Sequence, residues 1–164
     1  MGGPDGLNKG FYQMMASYEP ARLHGASRAV GVARAAYEEA VSYAQGRVQF
    51  DHAIINYQAV RFRLAEAAAE IQAAKQLVYY AARMKDKGAR SDLEAGMAKL
   101  VATEAAWRAA DFALQVHGGI GYTREAAINR IWRDARLLSI VDGTTDIQKR
   151  VIADTLFGKP EVPG

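Results

Sequence analysis

The stretch "YQAVRFRLAEAAAEIQAAKQLVYYA", residues 57–81, decides the fold class. Tyr57, Val60, Leu64, Ala67, Ile71, Ala74, Val78 and Ala81 step alternately by three and four, a heptad stripe sustained along the whole stretch. That spacing gathers the apolar side chains on one seam of an α-helix, whereas a strand would alternate every second residue. Alanine at many seam positions implies close helix packing. Arg61, Arg63, Glu66, Glu70 and Lys75 lie off the seam and read as a solvated edge.

Working outward, Pro20 fits the first turn of an earlier helix. Ala26, Val30, Ala33, Tyr37, Ala40 and Ala44 follow at helical spacing, and Gly46 fits a C-terminal cap. Residues 1–17 are glycine-rich and read as a linker or loop, and "GRVQFDHAI" (46–54) reads as a loop between helices. Lys87-Gly88 ends the helix of the opening stretch. "SDLE" at 91–94 predicts a capping box, with Ser91 as cap and Glu94 reaching back. A third helix is expected to about Val116, with Leu93, Met97, Leu100, Val101, Ala105 and Phe112 as its apolar residues. "HGGIGY" (117–122) breaks it. A short helix from about Glu125 to Ala135 and a last one from Thr144 or Thr145 to about Phe157 complete the chain. Gly158 and Pro160 close it, and 159–164 form a tail. The expectation is an all-α fold: an antiparallel up-and-down bundle of three long helices plus two shorter ones, one domain over 18–158.

Composition narrows the function classes. Of 164 residues, 50% are hydrophobic and 24% charged, as expected for a soluble globular domain. A net charge of +3 is too small and too scattered to imply nucleic acid. The absence of cysteine excludes disulfides, thiolate chemistry and cysteine-based metal sites, and fits a cytoplasmic location. "MGGPDGLNKGFYQ" lacks a basic stretch followed by an apolar one, so no signal peptide is expected, and no apolar run is long enough to span a membrane. His24, His52 and His117 have no ligand-like spacing, so no metal site is expected.

Three places could carry chemistry. Asp142, in "RLLSIVDGTTDIQKRVIA" (136–153), stands between a strand-like apolar run and a helix start. It reads as a turn residue favoured by capping and the helix dipole, or as a base in a dry pocket. "HGGIGY" reads as a tight turn, or as a loop whose backbone approaches a phosphate. Arg47, close to Phe50, reads as a surface arginine at a helix end, or as a pyrophosphate ligand beside a stacking ring.

Three blocks then align in one order: "MASYEPARLHGASRAVGVARAA" (15–36), "GRVQFDHAIINYQAVRFRLAE" (46–66) and "ALQVHGGIGYTREAAINRIWRDARLLSIVDGTTDIQKRVIA" (113–153). Together they resemble the C-terminal domain of the acyl-CoA dehydrogenase flavoprotein family, from about Gly10 to Gly158. The resemblance implies a longer enzyme with an N-terminal helical domain and a middle β-domain, residues 1–17 being the linker from that missing β-domain. It implies FAD as cofactor, an acyl-CoA substrate, a homo-oligomer (dimer or tetramer), and an electron-transferring flavoprotein or similar acceptor. In the family a loop carboxylate removes the α-proton of the acyl thioester while a hydride leaves the β-carbon for the flavin.

Residue by residue, the resemblance implies that Asp142 is that carboxylate. Arg47 and Phe50 match positions contacting the pyrophosphate and adenosine of FAD, largely across a subunit interface. Gln115, Gly118 and Gly119 match a second strip along the same half of the cofactor. Thr144 and Asp146 match positions approaching FAD within the subunit. Arg22 and Glu19 match positions near the CoA-ester entrance, and Gly143 accompanies Asp142 on the substrate side. Departures are informative: the usual loop glutamate is Asp142, one methylene shorter, and Glu19 stands where an aspartate is usual. Some relatives carry the base just before the arginine matched by Arg22, and Ala21 closes that route. The isolated chain is expected to be inactive. Two other readings stay open: a nitroalkane oxidase-like flavin oxidase on the same scaffold, and a non-catalytic helical subunit of a heteromeric dehydrogenase.

Overall fold

The computed structural model describes residues 3, 6–88 and 90–161. Five helices follow in order: α1 (Gly10–Gly46), α2 (Gln58–Asp86), α3 (Asp92–His117), α4 (Ala127–Leu138) and α5 (Thr145–Phe157). A two-strand hairpin, β1 (Val48–Gln49) and β2 (His52–Ala53), joins α1 to α2, pairing Val48 with Ala53 and Gln49 with His52. The long helices run up, down and up, so α1 and α3 are parallel. Gly25 lies beside Lys99 at one level, and Tyr43 stacks on His117 at a ring distance of 4.2 Å at the other. The short helices pack on this layer, α4 against α1 and α3, and α5 against α3.

The core is built largely from alanine. Ala26, Ala29, Ala33, Ala36 and Ala40 of α1 and Ala98, Ala102, Ala106 and Ala113 of α3 are all buried in one cluster. The α2 stripe packs as its spacing predicts, with Leu64, Ala74, Val78 and Ala81 buried. On α3 the buried face differs from the expected one. Alanines line it, while Leu93, Met97 and Leu100 are half-buried at its edges and Val101 is exposed. Small side chains let α1 and α3 approach closely, leaving no room there for the larger residues.

Several boundaries also differ. α1 begins at Gly10, so residues 10–17 are helical, not a linker, and Pro20 sits inside the helix. Proline removes one backbone donor and crowds the carbonyl four residues back. The run from Phe11 to Glu19 contains no other breaker, and α1 continues through. The ends of the expected linker at residues 1, 2, 4 and 5, and of the tail at 162–164, lie outside the described residues. Gly46 is the last helical residue, and the chain leaves through an extended Arg47 whose N–H donates to the Tyr43 carbonyl at 2.9 Å. α4 runs to Leu138, so the apolar stretch before Asp142 is a helix end and a turn, not a strand. Ser91 caps α3 without the expected side-chain bond: its hydroxyl and its N–H both donate to Glu19 of α1. Among the described residues, no helix is long and apolar enough to cross a membrane.

Candidate active site and cofactor face

Between α4 and α5 the chain makes a tight turn. The N–H groups of Ile140 and Val141 both donate to the Leu137 carbonyl, at 2.9 and 3.1 Å, and Thr145 N–H donates to Ser139 O at 3.1 Å. Asp142 and Gly143 follow each other in the left-handed region, with φ of 54° and 92°. Aspartate tolerates that region better than most residues. Position 143 favours glycine by its φ, and a Cβ there would lie 2.7 Å from Gln148 Nε2 and displace that side chain. Thr144 is the N-cap of α5, its hydroxyl accepting from Ile147 N–H at 3.3 Å. The turn carries the Asp142 carboxylate to the surface of the chain. Leu138 is buried, but Leu137 and Ile140 are about half exposed, so these residues make no dry pocket around the acid.

Beneath the turn lies Lys99 of α3, only 1% exposed. Its ammonium donates to the carbonyls of Val141 and Gly143, the residues flanking Asp142. Gln148 of α5 donates to the same Gly143 carbonyl at 2.8 Å. Buried Gly25 of α1 leaves the space in which the Lys99 stem and the Asp142 carboxylate converge: a Cβ there would meet Lys99 Cε at 3.2 Å and Asp142 Oδ2 at 3.8 Å. Burial pushes the Lys99 ammonium below the ordinary lysine value; Asp142 opposes that push and Arg22 adds to it. Arg22, itself largely buried, pairs with Asp92 at 3.1 Å and keeps a buried Nε that has no partner among the described residues. Glu19, one turn earlier, is taken up by Ser91 and by Lys85 at 3.1 Å. Asp142, Gly143, Arg22 and Thr144 are thus gathered around one corner, while the Glu19 carboxylate is spent on α3 and Lys85. Asp146 stands in solvent in the first turn of α5, 3.6 Å from Lys149.

The remaining candidates sit at the other end. Phe50 and Asp51 form the hairpin tip with φ of 50° and 66°, and Phe50 is 87% exposed. A left-handed backbone is an outlier for a bulky residue. Tyr57 buttresses the tip, its hydroxyl donating to the Gln49 carbonyl at 2.6 Å. Phe50 and Gln115 line one apolar groove with Ile54, Tyr57, Val60 and Phe112. Arg47 is exposed and, among the described residues, pairs with no carboxylate. Gly118 (φ 62°) and Gly119 lie exposed at the end of α3, with open space where a Cβ would be. From the level of Lys99 to that of His117 is 18 residues of helix, about 27 Å at 1.5 Å per residue. The candidates therefore form two separate sets, an Asp142 corner and an Arg47–Phe50–Gln115 face.

Residues 8–157 match the family model of the acyl-CoA dehydrogenase C-terminal domain. The chain belongs to the acyl-CoA dehydrogenase family. Among its relatives is (2S)-methylsuccinyl-CoA dehydrogenase of Cereibacter sphaeroides, 49% identical over 96% of this chain and 28% of the relative. The structure of butyryl-CoA dehydrogenase from Megasphaera elsdenii superposes with a TM-score of 0.87 at 38% identity, over 90% of this chain and 39% of that one. A glutaryl-CoA dehydrogenase from Mycobacterium smegmatis in complex with FADH2 gives 0.83 at 27% identity, over 89% and 38%. The chain thus spans well under half the length of these acyl-CoA dehydrogenases.

Within this acyl-CoA dehydrogenase domain, sequence reasoning missed Lys99, Gln148, Gly25 and Tyr57. The first had a usable signal. Lys99 falls in phase with Ala95, Ala102 and Ala106, so a charge sits in the alanine seam of α3. A buried face read from Leu93, Met97 and Leu100 leaves that lysine outside the core. Gln148 and Gly25 carry no local signal, because their roles depend on contacts between helices distant in sequence.

Proposed function

We propose that this domain is part of an FAD-dependent acyl-CoA dehydrogenase in which Asp142 is the base for α,β-dehydrogenation of an acyl-CoA thioester. The observation that supports the reading is the Asp142 turn: an exposed carboxylate on a left-handed backbone, fixed between α4 and α5, at the position the resemblance gives to the family's loop acid. The chemistry FAD supplies when bound is acceptance of the hydride from the β-carbon. Asp142 takes the α-proton, and the electron pair of the broken Cα–H bond becomes the new Cα=Cβ bond. Arg22 and Gly143 would line the thioester approach, and Glu19 would flank it with its carboxylate held by Ser91 and Lys85.

The residues present suit the cofactor. Arg47 offers the pyrophosphate a guanidinium that pairs with no carboxylate among the described residues, and Phe50 holds an exposed ring at a strained tip beside an apolar groove. Gln115, Gly118 and Gly119 extend that face, and Thr144 and Asp146 would meet the cofactor near the base. The span of about 27 Å between the two sets supports a homo-oligomer in which one subunit's hairpin completes its neighbour's site. Electrons would leave to an electron-transferring flavoprotein or similar acceptor. The isolated chain, carrying only these two faces, would not turn over. Aspartate in place of glutamate favours one alternative, an oxidase of the nitroalkane oxidase kind acting on a small acidic C–H compound.

The test is Asp142→Ala in the complete protein, assayed with a dye acceptor on (2S)-methylsuccinyl-CoA and butyryl-CoA. We expect kcat to fall about 10²–10⁴-fold with the flavin spectrum unchanged. Near-wild-type kcat would remove Asp142 from the role. Peroxide production exceeding dye reduction would favour the oxidase.

A further inference from the structure

We propose that Lys99 is the positioning residue for Asp142, gripping its turn from beneath with Gln148 as a second hold; the proposal rests on Asp142 being the base. The two carbonyls that accept from the Lys99 ammonium belong to the residues on either side of Asp142. Rotation of the Val141–Asp142 peptide, or of the Gly143–Thr144 peptide beyond it, therefore breaks one of those bonds. Gln148 adds a bond to the Gly143 carbonyl from a different helix, so the turn is held from α3 and α5 at once. The holding matters because Asp142, a non-glycine residue, sits on a left-handed backbone at the point where its carboxylate must be aimed.

Packing alone does not account for a lysine here. A buried ammonium is costly to desolvate, and a methionine or leucine would fill the same slot between α1 and α3 without that cost. The charged groups facing Lys99 are Asp142 on the turn and Arg22 on α1, and Gln148 reaches the same carbonyl uncharged. Gly25 keeps the meeting point open, since a Cβ there would crowd the Lys99 stem at 3.2 Å and lie in ordinary contact with the carboxylate at 3.8 Å.

The experiment uses the complete enzyme with Lys99→Met, Gly25→Ala and each combined with Asp142→Ala. With Lys99→Met, kcat should fall about 10²-fold as the base drifts by a fraction of an ångström to an ångström. KM should stay within a few-fold, FAD should stay bound, and the isotope effect on kcat with α-deuterated substrate should rise. A merely structural lysine would not selectively slow α-proton removal. Gly25→Ala should give a smaller loss of the same kind while favouring the α1 helix. It decides the matter by the same readouts if Lys99→Met fails to fold. Added to Asp142→Ala, neither change should cost further activity, because both act only through the base. Near-wild-type kcat in the two single variants, or an additive loss on Asp142→Ala, would overturn the proposal. Failure of the base assignment itself would be read separately, from activity surviving in Asp142→Ala alone.

Discussion

A methyl group added at position 143 would lie 2.7 Å from Gln148 Nε2, on a backbone whose φ of 92° L-residues rarely adopt. Gly143→Ala should therefore destabilise the domain by about 1–3 kcal/mol, from backbone strain and displaced contact together. Urea unfolding of the two proteins checks this, and coincident midpoints would show that the turn relaxes freely. What could be read of this corner from sequence was local. "DGTT" announced a turn and a helix cap, and Thr144 does cap α5. The lysine under the turn comes from 43 residues upstream, and no short-range pattern links Lys99 to Asp142.

Among the elements, the start of α3 shows a long-range partner displacing a local motif. "SDLE" has the form of a capping box, yet the Ser91 N–H and hydroxyl both find Glu19 of α1. Burial pushes the Glu19 carboxyl up, but bonds from Ser91 and Lys85 outweigh it and hold it below the ordinary 4.5. A carboxylate with a depressed folded value adds stability above 4.5 and loses it as pH falls through that folded value. Glu19→Gln should therefore unfold at lower urea than wild type near neutral pH, and the gap should close in acid. A gap independent of pH would show that Glu19 acts through shape alone. The helices themselves were legible from the three-and-four spacing, α2 most clearly. The hairpin was not, since two residues per strand are too few for an alternation to register.

Across the whole molecule, large apolar side chains remain in solvent on several faces. Phe11, Tyr12, Met14 and Met15 stand on the first turns of α1, Phe62, Tyr79 and Tyr80 on α2, and Phe50 on the hairpin tip. Exposed apolar surface of this extent favours association. The isolated chain should sediment as a dimer or larger species at tens of micromolar, and a clean monomer would count against it. Helical periodicity marks what each helix buries in its own bundle and is silent on apolar residues pointing the other way, so these faces emerge only from the packed structure. The alanine seam between α1 and α3 has a different consequence, for mutational tolerance. In most cores the damaging changes remove atoms and leave cavities. Here a core alanine has one methyl to lose, so harm comes chiefly from added bulk, at about 1–3 kcal/mol per oversized side chain. Drift in this interface is thus held from one side: the seam can accept little growth, and its helices stay at the spacing that alanine sets.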